Sequence, residues 1–286
     1  MARLHDSTSF AYIQKLNRIR AGLINDQSPD PSWVRITTIT MCSKFLEAID
    51  LPKFRENFKK LETVYVRPKG SRSRGFAWKM KETAFYNQVT IGYEDHSSRK
   101  SIKLFPNGSI QVAGCADLFD CRRILKQLSF ILMVVLGKEA VVPVDEVSVK
   151  MINTNFSLNS SVNLLKIIGK LSKAPAGPGA NGTPSPFKVT FDPDRYSAVK
   201  VKFVPKPGQK QVTASIFSTG KIIVTGAQTL DEIAEAYSIL NQNLRDPAIL
   251  IKPSAQPELF DNIMGATFGE WHRVLEEHSS LGLNKI

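Results

Sequence analysis

Apolar and polar positions alternate along this chain in blocks that repeat. Residues 105–114 read FPNGSIQVAG and residues 217–226 read FSTGKIIVTG, an offset of 112 with five of ten positions identical. Self-similarity at a fixed offset is sought before any fold is assigned, because it marks duplicated structural units. Each segment reads as a hairpin: an apolar strand ending in phenylalanine, a turn closed by glycine, then an alternating strand ending in glycine. A helical period follows each hairpin, through Leu118, Cys121, Leu125, Leu128 and Leu132 in one case and Leu230, Ile233, Tyr237, Leu240 and Leu244 in the other. Asp117 and Thr229 stand where N-caps belong.

The duplication extends upstream. WVRITTITM (33–41) and VSVKMINTNFS (147–157) alternate as strands. Each leads into a short helical pattern, 51–61 after Asp50 and 161–171 after Asn159. Extended segments follow at 85–93 and 195–203. Each half therefore reads strand, helix, several antiparallel strands, helix. Two such halves predict an α+β fold with one curved antiparallel sheet, helices on one face and the other face bare. The organisation predicted is an N-terminal helical extension (1–30), a first repeat (31–140), a second repeat (141–245) and a tail (246–286). The proline- and glycine-rich stretch APAGPGANGTPSP predicts a flexible loop over 172–186 in the second repeat. RPKGSRSRG (67–75) is the basic loop of the first. The tail predicts a helix over 258–278 carrying Phe268 and Trp271, and the apolar run Phe130–Leu136 reads as core.

Alternation also sorts side chains by face. Ile222 and Val224 point one way, with Ile110 and Val112 their counterparts. Phe105, Gln111, Ala113, Phe217, Ile223 and Thr225 point the other way, onto a face that the available helices cannot cover.

Charge gives that face a partner. The 286 residues carry 38 Lys and Arg against 26 Asp and Glu, a formal net charge of +12. Such a balance favours a polyanion. Three cysteines without a CxxC pair and four scattered histidines provide neither a disulfide framework nor a zinc site, and fit a reducing compartment. No stretch has the length of a membrane span. HxxE, P-loop, paired acidic strand ends and nucleophile–base sets are missing, so catalytic residues, metal and cofactor are expected to be none and the protein is not read as an enzyme.

The second repeat resembles the TATA-box-binding (TBP) family closely. FDPDRYSAVKVKF (191–203) is similar to that family's strand entry, and SIFSTGKIIVTGA (215–227) to its hairpin. The resemblance implies a saddle of two pseudo-symmetric repeats, with helices on the convex face. It implies binding and bending of A·T-rich double-stranded DNA through the minor groove, whose degenerate floor suits small apolar and hydroxyl side chains. Aromatic wedges at kinked base steps are the mode by which this family is known to act.

Carried over residue by residue, the wedges fall on Tyr196 and Phe217, and on Phe105 with Tyr86 (Phe85 being the competing register). The phosphate contacts fall on Lys202 and Lys221. The groove floor falls on Val34, Thr38, Gln111, Val149, Asn153, Ile223 and Thr225. The first repeat departs from the pattern: Ser109 and Gly92 replace basic residues and Ala113 replaces threonine, so its grip on phosphate is expected to be weaker. Arg72, Arg74, Arg122, Arg123 and Lys126 are candidates to make up the loss. Val34 and Val149 stand where the family has asparagine, which alters the central readout.

The resemblance further implies a transcription initiation factor, with an RNA polymerase apparatus and a factor resembling transcription factor IIB as partners. The chain would be a monomer with internal pseudo-symmetry and without membrane association. The drift, the inserted loop and the added tails resemble a copy encoded by a large DNA virus, placing it in the nucleus or at a cytoplasmic viral replication site. The alternative is a TBP-fold interaction scaffold in a transcription complex, with weak or lost DNA binding.

Overall fold

A computed structural model describes residues 6–64, 77–81, 85–94, 99–115, 118–173, 186–258, 262–263 and 266–267. The chain divides into two compact units, one of Thr38–Lys150 and one of Arg3–Thr37 with Met151–Ile286. Its first part runs α1 (Asp6–Leu23), β1 (Arg35–Lys44), α2 (Leu51–Val64), β2 (Ala77–Lys81), β3 (Val89–Glu94), β4 (Arg99–Leu104), β5 (Ser109–Cys115) and α3 (Leu118–Leu136). The second part runs β6 (Ser148–Ser157), β7 (Ser160–Val162), α4 (Leu164–Lys173), β8 (Lys188–Asp192), β9 (Tyr196–Phe203), β10 (Val212–Ile216), β11 (Lys221–Ala227), α5 (Leu230–Leu244), β12 (Leu250–Pro253), β13 (Asn262–Ile263) and β14 (Ala266–Thr267). The fold class is α+β.

Within the first unit the antiparallel strand order is β2-β3-β4-β5-β1, and within the second it is β6-β11-β10-β9-β8. The two orders are built alike. Each hairpin turn is closed by a glycine in the left-handed region, Gly108 at φ 81° and Gly220 at φ 80°. A Cβ on Gly108 would meet the Phe45 carbonyl oxygen at 2.4 Å, and one on Gly220 would meet that of Ser160 at 2.0 Å. Only glycine accepts both the dihedral and the contact. The register slips after the hairpin in each unit, opposite Ile39/Thr40 and between Val224 and Ala227, so bulges fall at matching places too.

One face of each sheet is buried. In the first unit it consists of Ile91, Tyr93, Ile102, Leu104, Ile110 and Val112, with Phe54 and Phe58 of α2 and Ile124, Leu128 and Leu132 of α3 also buried. In the second, Val201, Phe203, Ala214, Ile216, Ile222 and Val224 take the same places, with Ile167 and Leu171 of α4 and Ile233, Tyr237 and Leu240 of α5. Each fully buried side chain of this size contributes roughly 1.5–3 kcal/mol. Thr229 caps α5 with a reciprocal box: its Oγ1 accepts from Glu232 N–H at 3.1 Å, and its own N–H donates to Glu232 Oε2 at 3.2 Å. Asp50 accepts from Lys53 N–H at 3.0 Å at the start of α2.

Several expectations need correction. The cap of α4 is Asn163, whose Oδ1 accepts from Lys166 N–H at 3.1 Å; Asn159, at φ 54°, instead turns the chain into β7. In α3, Leu132, Val135 and Leu136 are buried but Phe130 and Val134 are exposed, so that apolar run is only partly core. Residues 262–263 pair with 266–267 as a small hairpin where a helix was predicted; the remainder of that prediction, with Phe268 and Trp271, lies outside the described residues. So do Asp117, Arg72 and Arg74 and most of the two predicted loops.

The N-terminal helix belongs to the second unit. Tyr12, Ile13 and Leu16 are buried, and Lys15 pairs with both Asp231 and Glu235 of α5. The Lys15 hydrogen bond holds the Asp231 carboxyl below its ordinary range. The following segment is tied down by Tyr237, whose hydroxyl donates to the Ser32 carbonyl at 2.8 Å, and by Arg245, which donates to Leu23 O at 3.1 Å and Ser28 Oγ at 2.7 Å. No helix among the described residues is long and apolar enough to cross a membrane.

Candidate nucleic-acid interface

The sheet face opposite the buried one carries the chemistry. In the second unit, register fixes two rows across it. One runs Thr190, Lys200, Ser215, Ile223, Asn155. The other runs Lys188, Lys202, Thr213, Thr225. Cross-strand neighbours stand about 5 Å apart at Cβ, so each row is a continuous line of side chains. Small hydroxyl, aliphatic and amide groups occupy the inner strands and lysines the outer ones. Lys188, Thr190, Lys200, Lys202 and Ile223 are exposed, while Ser215, Thr213, Thr225 and Asn155 are half-buried. The Asn155 Oδ1 is buried without a hydrogen-bond partner, leaving an acceptor on this face unsatisfied.

At one end of the rows sits an aromatic pair. Tyr196 opens β9 and Phe217 begins the hairpin turn, where its N–H donates to the Lys221 carbonyl at 2.9 Å. Their ring centroids lie 5.7 Å apart at an interplanar angle of 69°. Tyr196 is 38% exposed and Phe217 half-buried, and the Lys200 ammonium stands 4.7 Å from the Tyr196 ring centroid. Two rings that sequence similarity pairs are therefore brought together by β9–β10 pairing and the turn.

The structure places the remaining predicted residues as follows. Lys202 is exposed on this face, opposite Thr213. Lys221 is exposed, but its ammonium is held by the Glu258 carboxylate at 2.5 Å. Glu258 is positioned by Asn159, whose Oδ1 accepts from Glu258 N–H at 2.9 Å while its Nδ2 donates to Glu258 O at 3.0 Å. Asn153 and Val149 share the parity of Asn155 on β6 and are half-buried. Thr38 is half-buried on β1, and Gln111 lies opposite Cys42 and Lys103. Val34 does not reach the face: it precedes β1 and is 1% exposed. Its neighbours explain why, since Trp33 is buried under Arg20, 5.1 Å from the ring centroid, and Ser32 N–H donates to Ser157 O at 2.9 Å. The strand begins after this anchor.

In the first unit, register decides between Phe85 and Tyr86. Val89 pairs with Leu104 as Val199 pairs with Ile216, and Tyr86 precedes Val89 by the same three residues that separate Tyr196 from Val199. Tyr86 is therefore the positional counterpart, and it is 87% exposed. It sits in a turn, not in the strand predicted over 85–93. The Arg55 guanidinium fixes that turn, donating to Tyr86 O at 3.0 Å and Gln88 O at 2.8 Å. Phe105 holds the place of Phe217, with its N–H donating to Ser109 O at 3.0 Å. Arg123 donates to Tyr93 Oη and Asp120 Oδ1, both at 2.8 Å. It is thereby engaged at the buried, helix-covered face, as is Lys100 in its 2.9 Å pair with Asp120. Arg122 and Lys126 are exposed on the same helix, α3. No group of three or more candidate metal ligands occurs among the described residues.

Lys188 and Lys200 were missed from sequence. The signal was present in the alternation KVK over 200–202, which sets Lys200 and Lys202 on one face. Lys188 becomes visible only through its pairing with Lys202.

Comparison with known proteins bears on the same region. The sequence profile described as "Transcription factor TFIID (or TATA-binding protein, TBP)" matches residues 183–246, which include β8 through α5. A TATA-box-binding protein-like protein of Acanthamoeba polyphaga mimivirus is 27% identical over 239 residues, 74% of this chain and 65% of the viral protein. A protein of African swine fever virus, provisionally named a TATA-binding protein, is 28% identical over 191 residues, 64% of this chain and 66% of its own length. The aligned region thus spans a little under two thirds of either relative. The structure of Methanococcus jannaschii TBP superimposes with a TM-score of 0.48 at 12% identity, covering 73% of this chain and 97% of that one. The matched second repeat and the viral relatives make this chain similar to TBP and to the TBP-like proteins of mimivirus and African swine fever virus.

Proposed function

We propose that this protein is a transcription initiation factor that binds the minor groove of A·T-rich promoter DNA and bends it. The observation that carries the reading is the open face of the second unit. Its inner strands present Ile223, Thr225, Thr213 and Asn155, its outer strands Lys188, Lys200 and Lys202, and one end the Tyr196–Phe217 pair. Small and hydroxyl groups suit a groove floor poor in hydrogen-bond information. Lysines at the flank suit phosphates, whose neutralisation supplies a large share of the affinity. Adjacent rings at the end suit insertion at a base step, as TATA-binding proteins do. A factor resembling transcription factor IIB and an RNA polymerase apparatus would then be recruited to the bent site, in the nucleus or at a cytoplasmic viral replication site.

The test is the bend angle on an A·T-rich duplex, measured by end-to-end energy transfer. The wild-type chain should kink the duplex by some tens of degrees, and Tyr196→Ala with Phe217→Ala should lower the angle while leaving phosphate-driven binding detectable. A bend unchanged by the double substitution would remove the wedge role. Transcription-complex assembly without any DNA binding would favour the scaffold reading instead.

A further inference from the structure

Sequence comparison makes the first repeat look stripped of phosphate contacts, because Gly92 and Ser109 stand where basic residues are expected. Cross-strand register gives a different account. Since Val89 and Val199 are equivalent by their pairing, Thr90 corresponds to Lys200 and Gly92 to Lys202. In the second unit Lys200 is flanked by Thr190 and Ser215. In the first, Thr90 is flanked by Lys81 and Lys103. The pattern hydroxyl–lysine–hydroxyl has become lysine–hydroxyl–lysine at the same level of the sheet. One row further along, Lys188 beside Lys202 corresponds to Lys79 beside Gly92. Each open face therefore carries three lysines on its outer three strands, in complementary places.

The side chains bear this out at Gly92. A Cβ there would lie 3.0 Å from the Lys81 Cε and 3.9 Å from its Nζ. The Lys81 stem thus crosses from the edge strand β2 into the space that a side chain on Gly92 would use, bringing its ammonium over the position held by Lys202 in the other unit. Gly92 has no left-handed dihedral that would require glycine. Its role is to leave room. Lys79 and Lys81 are exposed and Lys103 is half-buried, and none has an ion pair among the described residues.

We infer that Lys79, Lys81 and Lys103 form a relocated phosphate-binding set, through which the first repeat grips the DNA backbone from neighbouring strands. This rests on the DNA-binding reading above, and the experiment separates the two. The full chain is titrated with an A·T-rich duplex between about 50 and 200 mM salt, and the slope of log affinity against log salt is read, each lysine–phosphate contact contributing about 0.9. Lys79→Ala/Lys81→Ala/Lys103→Ala should make the slope shallower by about 2 to 3 and weaken binding at least tenfold near ~100 mM salt. Lys200→Ala/Lys202→Ala should flatten it by about 2. Lys81→Ala alone should cost about 1, and adding Gly92→Lys to it should restore that loss, because the cleared space accepts the new side chain.

A slope unmoved by the triple substitution but flattened by the Lys200/Lys202 pair would overturn the relocation and leave DNA binding standing. Failure of Gly92→Lys to restore the slope would overturn the claim that both side chains serve one position. A wild-type slope near zero would overturn the inference and the DNA-binding reading together. Circular dichroism spectra identical to wild type confirm that the variants are folded.

Discussion

At the scale of single residues, the turn glycines carry the repeat more faithfully than most side chains. Gly220 combines φ 80° with a would-be Cβ contact of 2.0 Å to the Ser160 carbonyl oxygen. A left-handed conformation costs a non-glycine residue roughly 1–2 kcal/mol, and the backbone clash adds to it. Gly220→Ala should therefore lower unfolding free energy by more than about 2 kcal/mol in urea titration. Gly169 lies within α4 with nothing near its would-be Cβ, so Gly169→Ala should instead stabilise by a few tenths up to about 1 kcal/mol. Equal effects from the two substitutions would contradict this reading of the turn. Both hairpin glycines were legible from the sequence because a tight turn between alternating strands demands that residue type. Val34 was not legible: burial of Trp33 and Val34 follows from Arg20 and Ser157, neither of which is local in sequence.

At the scale of elements, helices with a strong apolar period were read within a few residues, and strand faces were sorted correctly wherever alternation was clean. What sequence did not provide was pairing between strands. Lys81 and Lys103 gain meaning only as neighbours of Thr90, and Lys188 only as a neighbour of Lys202. Register is a non-local property, so a repeat alignment that asks which residue replaces Lys202 finds Gly92 and stops. The tail supplies a second such case. Asn159 clamps the backbone of Glu258, and the Glu258 carboxylate takes up Lys221, an ammonium otherwise available to phosphate. An exposed pair of this kind is worth about 0–1 kcal/mol. Glu258→Gln should therefore tighten binding to duplex DNA about two- to five-fold and steepen its salt dependence by up to about 1, as read by fluorescence anisotropy. Unchanged affinity and slope would mean that Lys221 takes no part in binding.

At the scale of the whole molecule, a net charge of +12 sets the sign of the partner but not its place. Place comes from the strands of each unit, with one face closed by helices and the other carrying lysines that have no ion pair among the described residues. Duplication preserved turn, bulge and strand order in both units while their lysine positions exchanged with hydroxyls. The drift seen in the first repeat is therefore a rearrangement of charge across strands as much as a loss of it. The most direct measurement is the affinity of the full chain for A·T-rich and G·C-rich duplexes of equal length across a salt series. Six open-face lysines predict tighter binding to the A·T-rich duplex, with a slope near about −5. Absence of binding, or a slope near zero on both duplexes, would contradict the account.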